Sequence, residues 1–467
     1  MPDTESTSHI PVSVDEIVDA LRSQSPDRIL AISKQAHPGD VEMAFERFDE
    51  VAREEVLDKL PAEVLSEWAD YLSPGDVEHR LNSLPKGEQR EVLESLSDDE
   101  LVDLLQEIEE EDRPQYIELL PEEKRIVSED LMRFPEETAG GRMTMAMATV
   151  RQNLTVKEAL DELRCIQNEA ELLSRIFVVD ENRKLLGKLR LRDLAFNTWD
   201  TPITELMDGD QTCVSVLADQ EEAAQMIARY DLVALPVVDE NDQLVGVITH
   251  DDALEIMEEE STEDMEKISG IGGDRGDLAY LQTSVLSHIK RRFGWVLVLA
   301  FLALISGWVL LKYEEVLKAY FTLALYFPMI VAAGGNTGSQ AATMVIRAMS
   351  LGELGSKEFG RVLWKELRVG ILLGAMLGLC VALQVEFLLP DQFMPEGINS
   401  LRIVGIVGFA LTAQVMTSTL IGALLPQLAK MGRLDPAVVA SPAITTMVDV
   451  SGAIIYLGLA KVMLGVF

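Results

Sequence analysis

The chain has 467 residues, a mean hydropathy of +0.13 and a formal net charge of −38, values that do not sit together in one domain. Its first 280 residues hold 26 Lys and Arg against 68 Asp and Glu, the remainder 14 against 10, so an acidic front precedes an apolar, slightly basic back. That balance excludes a nucleic-acid partner, whose phosphates need a basic face, and suits a protein that meets cations; Cys165, Cys213 and Cys380, without CxxC spacing, exclude a disulfide framework or thiolate metal site.

The opening "MPDTESTSHIPVSVDE" is polar and acidic and does not read as a cleavable signal, so the front is expected to stay in the cytoplasm. Residues 1–24 read as a polar tail, and 25–138 as an acidic helical domain. From Val14 to Phe134 apolar residues recur at three- and four-residue spacing. "LPAE", "LPKGE" and "LPEE" (from Leu60, Leu84 and Leu120) restart helices, with proline in the first turn and acids at the positive dipole end. Short helices restarting in this way predict an all-α superhelical array.

A repeated unit follows. "RIFVVDENRKLLGKLRLRDLAF" (Arg175–Phe196) aligns with "ALPVVDENDQLVGVITHDDALE" (Ala234–Glu255), each a strand, an Asp-Glu-Asn turn, a strand and an Asp-started helix. The pattern resembles a tandem pair of CBS domains, an α/β regulatory module, over residues 139–204 and 205–260. In that superfamily a Gly-x-x-Thr-x-x-Asp element helps bind an adenine nucleotide, which makes ATP a candidate cofactor. The second unit has it in Gly246, Thr249 and Asp252; in the first, Arg190 replaces the threonine between Gly187 and Asp193. Thr249 and Asp252 equally suit a helix cap.

Five segments predict membrane spans: Arg292–Leu311, Leu317–Ala348, Val362–Leu389, Ile403–Leu428 and Ser441–Phe467. Lys290, Arg291 and Arg292 precede the first. Lys357, Arg361, Lys365 and Arg368 lie between the second and third, and Lys430 and Arg433 between the fourth and fifth, while the other connections hold Glu314, Glu315, Asp391 and Glu396. The positive-inside rule puts the N-terminus in the cytoplasm and the C-terminus outside.

The second span contains "YFPMIVAAGGNTGSQAATMVIRA", in which Pro328 is expected to interrupt the hydrogen-bond ladder. The small-residue pairs Gly335/Ser339 and Gly338/Ala342 favour close helix approach, while Asn336, Thr337 and Gln340 present groups that hydrocarbon penalises. The fifth span, "SPAITTMVDVSGAIIYLG", holds Asp449, with Thr445 one turn earlier on the same face. A carboxylate at mid-helix costs about 2.5–3.5 kcal/mol on insertion scales, so a partner or a watery path is expected. No lysine or arginine lies mid-span to neutralise it, so a cation from solution is the expected partner.

The acidic helical domain, the CBS pair, the junction "FPEETAGGRMT" and the two membrane motifs together resemble the MgtE family of magnesium transporters and channels, from about residue 25 to the C-terminus. The resemblance implies a homodimeric, non-enzymatic Mg²⁺ pathway in the cytoplasmic membrane, formed by residues 286–467. Spans two and five would line it, with Asp449, Thr445 and Asn336 at the ion. It further implies Mg²⁺ sensing through Asp99, Asp103, Asp252, Glu255, Glu260, Glu263, Asp264 and Asp435. "HDDALEIMEEESTEDMEKI", within a connecting segment over 251–285, would act as a plug helix. Two other classes stand beside this one. A CBS-controlled membrane enzyme lacks histidines, serine–base pairs and metal-ligand clusters in its spans. A coupled or nucleotide-regulated pathway for Co²⁺ or Mn²⁺ uses the same hard oxygen donors.

Overall fold

The computed structural model describes residues 12–166, 172–272, 280–281, 283–355, 358–388, 399–432 and 434–465. Lys357, Asp391, Glu396 and Arg433, used above for orientation, lie outside the described residues, as do residues 1–11. The chain divides into two compact units. One holds residues up to Ser261 together with Gly276–Ser284; the other holds Thr262–Arg275 and Val285–Phe467.

Among the described residues the front unit begins with ten α-helices: α1 (Val14–Arg22), α2 (Pro26–Ser33), α3 (Pro38–Phe45), α4 (Glu50–Leu57), α5 (Ala62–Trp68), α6 (Pro74–Leu81), α7 (Lys86–Ser95), α8 (Asp98–Glu107), α9 (Arg113–Ile117) and α10 (Glu122–Leu131). The repeated Leu-Pro step works one position earlier than expected. Pro61, Pro85 and Pro121 are N-caps of α5, α7 and α10 in extended backbone, not first-turn residues. The leucine before each is buried and anchors the helix entry. One apolar core, with Trp68 and Tyr116 among its largest side chains, runs through α1 to α9.

The repeat forms two three-stranded sheets of the same design. In the first, β1 (Met147–Arg151) pairs parallel with β2 (Leu172–Val179), which pairs antiparallel with β3 (Leu185–Arg190). In the second, β4 (Val214–Ser215), β5 (Ala234–Val238) and β6 (Leu244–Thr249) repeat that order. The helices are α11 (Val156–Cys165) and α12 (Leu191–Ala195) in one unit, and α13 (Gln220–Tyr230) and α14 (His250–Ile268) in the other. The equivalence reaches single atoms. Asp180 Oδ1 accepts from the backbone N–H groups of Asn182 and Lys184, and Asp239 Oδ1 from those of Asn241 and Gln243. Arg183 and Asp242 both adopt φ +61.

The second unit consists of α15 (Val285–Lys312), α16 (Glu314–Ala319), α17 (Thr322–Ser350), α18 (Phe359–Leu388), α19 (Ser400–Met431) and α20 (Pro436–Leu464), with the last turns of α14. Helix α19 is central, and α17, α18 and α20 all pack on it. Among the described residues, four stretches are long and apolar enough to cross a membrane: Val285–Lys312, Phe359–Val385, Leu401–Met431 and Ile444–Leu464. Helix α17 runs 29 residues through Pro328, so the missing ladder bond does not end the helix. The proline removes one N–H, but the surrounding turns and neighbouring helices hold the axis.

Candidate functional site

Two groups of residues carry the chemistry, one in each unit. In the front unit, Asp99 and Asp103 stand on α8, and Asp252, Glu255, Glu259 and Glu260 on α14. Burial pushes the Asp103 carboxyl up to about 7, against the pull of Arg142, with Glu136, Asp99 and Glu259 adding like charge. Burial also lifts Glu255 to about 7, helped by Asp252, Glu259, Glu42 and Asp99. Asp99 Oδ1 is buried with no hydrogen-bond partner among the described residues. Among the described residues, no three carboxylate, imidazole or thiol groups converge closely enough to chelate an ion. The acids form a field of mutual repulsion rather than a finished cage.

One basic residue enters that field, and the sequence reading passes it over. Arg142 Nε donates to Gln220 Oε1 at 2.9 Å, its guanidinium pairs with Glu259, and it lies 3.6 Å from Asp103. Gln220 in turn donates to Glu260. The expected sensor residues Asp103 and Glu260 are thus linked through Arg142 and Gln220, whose only signal was their place in the quoted junction and at a helix start.

The expected nucleotide residues have structural tasks. The Asp252 carboxylate accepts from Thr249 N at 2.9 Å and Oγ1 at 2.6 Å, capping the start of α14, and Thr249 is 3% exposed. A Cβ on Gly246 would lie 2.6 Å from Met143 Sδ and 2.8 Å from the Thr144 carbonyl, so this glycine lets the incoming chain pass.

In the second unit Asp449 is half-buried on α20, while Thr445 and, on α17, Asn336 are exposed on the single chain. Around Asp449 lies a seam of buried polar groups. Thr337 Oγ1 and Ser418 Oγ are 2.8 Å apart, and Gln414 Nε2 donates to the Val448 carbonyl at 2.8 Å. Of the two expected small-residue pairs, Gly338/Ala342 is buried against other helices and Gly335/Ser339 is not, while Gly334, outside both pairs, is also closed in. A Cβ on Gly334 would lie 2.5 Å from Gln414 Nε2, and one on Gly338 3.1 Å from Ile444 Cγ2, whereas Gly335 has nothing within 4 Å. Gly334 and Gly338 therefore fit α17 to α19 and α20 of the same chain. Near the end of α14, Lys267 donates to Asp435 Oδ2 at 2.7 Å and pairs with Glu263; Arg291 pairs with Glu266.

The family model described as "Divalent cation transporter" matches residues 327–459, the stretch that holds α17 to α20. A curated relative, the magnesium transporter MgtE of Thermus thermophilus, is 36% identical over 450 residues, covering 96% of this chain and 97% of that one. The chain belongs to the MgtE family. The MgtE intracellular N domain model matches residues 36–137, and the CBS domain model 140–197 and 203–259. The Bacillus subtilis MgtE is 33% identical over 330 residues, 71% of this chain and 70% of that one. A solved structure of the cytosolic domain of the Mg²⁺ channel MgtE in complex with ATP is 36% identical, covers 52% of this chain and 99% of that one, and superposes with a TM-score of 0.47.

Proposed function

We propose that the chain is a Mg²⁺ channel or transporter of the cytoplasmic membrane, working as a homodimer and closed by Mg²⁺ on its cytoplasmic side. The observation that carries this is Asp449 within an apolar helix, in a chain matched over 96% of its length by a magnesium transporter. All five long helices, α15, α17, α18, α19 and α20, would span the bilayer. Helix α17 is less apolar because it holds Gly334, Gly335, Asn336 and Gln340, as a helix bordering a wet path requires. Lys290 to Arg292 near the start of α15, Arg361 to Arg368 at the start of α18 and Lys430 at the end of α19 support a cytoplasmic N-terminus and an external C-terminus.

In a two-fold dimer the two Asp449 carboxylates would face each other across the axis. Together with Thr445 and Asn336 they would accept hydrogen bonds from the waters that Mg²⁺ retains. The sensing residues would be Asp99, Asp103, Asp252, Glu255 and Glu260 in the helical and CBS domains (25–138, 139–204 and 205–260), with Glu263, Asp264 and Asp435 at the plug segment 251–285. These donors are all carboxylate oxygens and include the orphaned Asp99 Oδ1, a set that fits a hard divalent ion. A bound divalent ion supplies the positive charge this field lacks. The acids then favour the arrangement that shuts the pathway of residues 286–467. An adenine nucleotide would enter the second CBS unit through Gly246, Thr249 and Asp252, and its entry requires the Thr249–Asp252 pair to open.

The test is Mg²⁺ uptake into proteoliposomes by wild type and Asp449→Asn, with the cytoplasmic face free of Mg²⁺ or loaded with it. Wild type should conduct only with that face Mg²⁺-free, and the variant should stay silent while still forming dimers. Normal flux through Asp449→Asn would end the pore assignment. The family description is broader than magnesium, a divalent cation transporter, and supports a second reading in which Co²⁺ or Mn²⁺ is the cargo. Competition of each ion against Mg²⁺ uptake separates the two.

A further inference from the structure

Gln414 has no exposed surface and stands in the middle of α19. An amide at this depth is costly unless both its ends are bonded. Here both ends are bonded, and to the same short stretch of α20. Nε2 donates to the Val448 carbonyl at 2.8 Å, and Oε1 accepts from Ser451 Oγ at 3.3 Å. Ser451 Oγ also approaches the Val448 carbonyl at 3.1 Å. Val448 and Ser451 bracket Asp449, so the amide grips α20 immediately before the carboxylate and two residues after it.

The space for this side chain is cut from two helices. A Cβ on Gly334 of α17 would lie 2.5 Å from Nε2, and one on Gly452 of α20 would lie 3.1 Å from it. A leucine at 414 would fill an apolar gap without needing partners. The cost of an amide is justified only if its bonds fix something. The Val448 carbonyl, in mid-helix, has the N–H of Gly452 as its regular partner, so Gln414 takes its second lone pair. The amide therefore fixes the rotation and height of α20 against α19 at the turn that carries Asp449.

We infer that Gln414 is a positioning residue for Asp449: it sets where the carboxylate stands, and hence the affinity and preference of the site for divalent ions, without touching the ion. The inference rests on Asp449 being the pore carboxylate. Without the two bonds, Asp449 sits on a turn free to rotate, and the spacing of the ion's acceptors is no longer held.

The experiment measures Mg²⁺ uptake by the full-length protein in proteoliposomes as a function of Mg²⁺, together with the Co²⁺ to Mg²⁺ flux ratio. Gln414→Met keeps the volume and loses both bonds; Ser451→Ala loses the bond to Oε1 and the hydroxyl's own contact with the Val448 carbonyl, and keeps the Nε2 bond. Thr419→Val is the control, because it loosens α19 against Glu366 of α18 instead. Gln414→Met should raise the half-saturating Mg²⁺ concentration about threefold to twentyfold and shift the flux ratio, and Ser451→Ala should move both less in the same direction. Thr419→Val should lower the melting temperature and the maximal flux with half-saturation and ratio unchanged. If Gln414→Met changes only melting temperature and maximal flux, Gln414 is a packing residue and the inference falls. Should Gln414→Met fail to assemble, Ser451→Ala decides: unchanged half-saturation and ratio overturn the inference. Normal flux and half-saturation in Asp449→Asn would instead end the pore reading itself, whatever the Gln414 variants do.

Discussion

Asp103 and Glu255 are two carboxyls lifted to about 7, and both sit where the front unit concentrates its acids. Glu255 faces Asp252, Glu259, Glu42 and Asp99; Asp103 faces Glu136, Asp99 and Glu259, with Arg142 as the opposing cation. Their folded values lie above the unfolded ones of about 4, so between about pH 4 and 7 the folded chain holds more protons than the unfolded chain. Metal-free stability should therefore fall as pH rises through that window, and divalent ions should restore it. Melting of the detergent-solubilised protein with and without Mg²⁺ checks this: the Mg²⁺-induced rise should be larger at about pH 8 than at about pH 6. An equal rise at both would mean that these carboxyls do not compete with the ion. Arg142 matters at the same scale, because it stands 3.6 Å from Asp103 and pairs with Glu259, partly neutralising the field from within.

Two helices join such residues into working parts. On α17, glycines four apart face opposite fates from their neighbours: Gly334 and Gly338 are closed in by α19 and α20, while Gly335 opens to space. Gly334→Ala should destabilise the membrane helices by about 1–3 kcal/mol, because the added methyl meets Gln414 and Val448. Thermal unfolding of the solubilised protein measures it, and a neutral result would mean that α17 slides freely on α19. On α14, the end of the helix carries its own cation, Lys267, between Glu263 and Asp435. Lys267→Gln leaves those two carboxylates as like charges, so uptake with a Mg²⁺-free cytoplasmic face should rise, by up to about fivefold for a partly exposed pair. Unchanged uptake would show that this contact does not restrain the pathway.

At the scale of the whole molecule, an acidic front of 68 carboxylates is joined to a bundle whose polar groups gather along one seam. Asn336, Thr445 and the methyl position of Gly335 are uncovered on a single chain, and the proposed homodimer would cover that face. Gly335→Leu reports on it. In a dimer sealed there it should lower the dimer fraction measured by light scattering, and an undisturbed dimer would move the interface elsewhere. Much of the molecule was legible in the chain itself. The three- and four-residue apolar spacing, the doubled strand-turn-strand unit and the long apolar runs are local patterns, set by backbone hydrogen bonding and hydrophobic burial within one element. The membrane motifs around Asn336 and Asp449 were visible because a polar group in an apolar run is costly wherever the run folds. The sequence could not say which side of α17 its glycines serve, or that Arg142 and Lys267 stand among the acids. Nor could it show that Gln414 holds the turn of Asp449. Each depends on which residue of a distant segment arrives opposite, 117 positions away for Arg142 and Glu259 and 34 for Gln414 and Val448, and only the packing of side chains decides that.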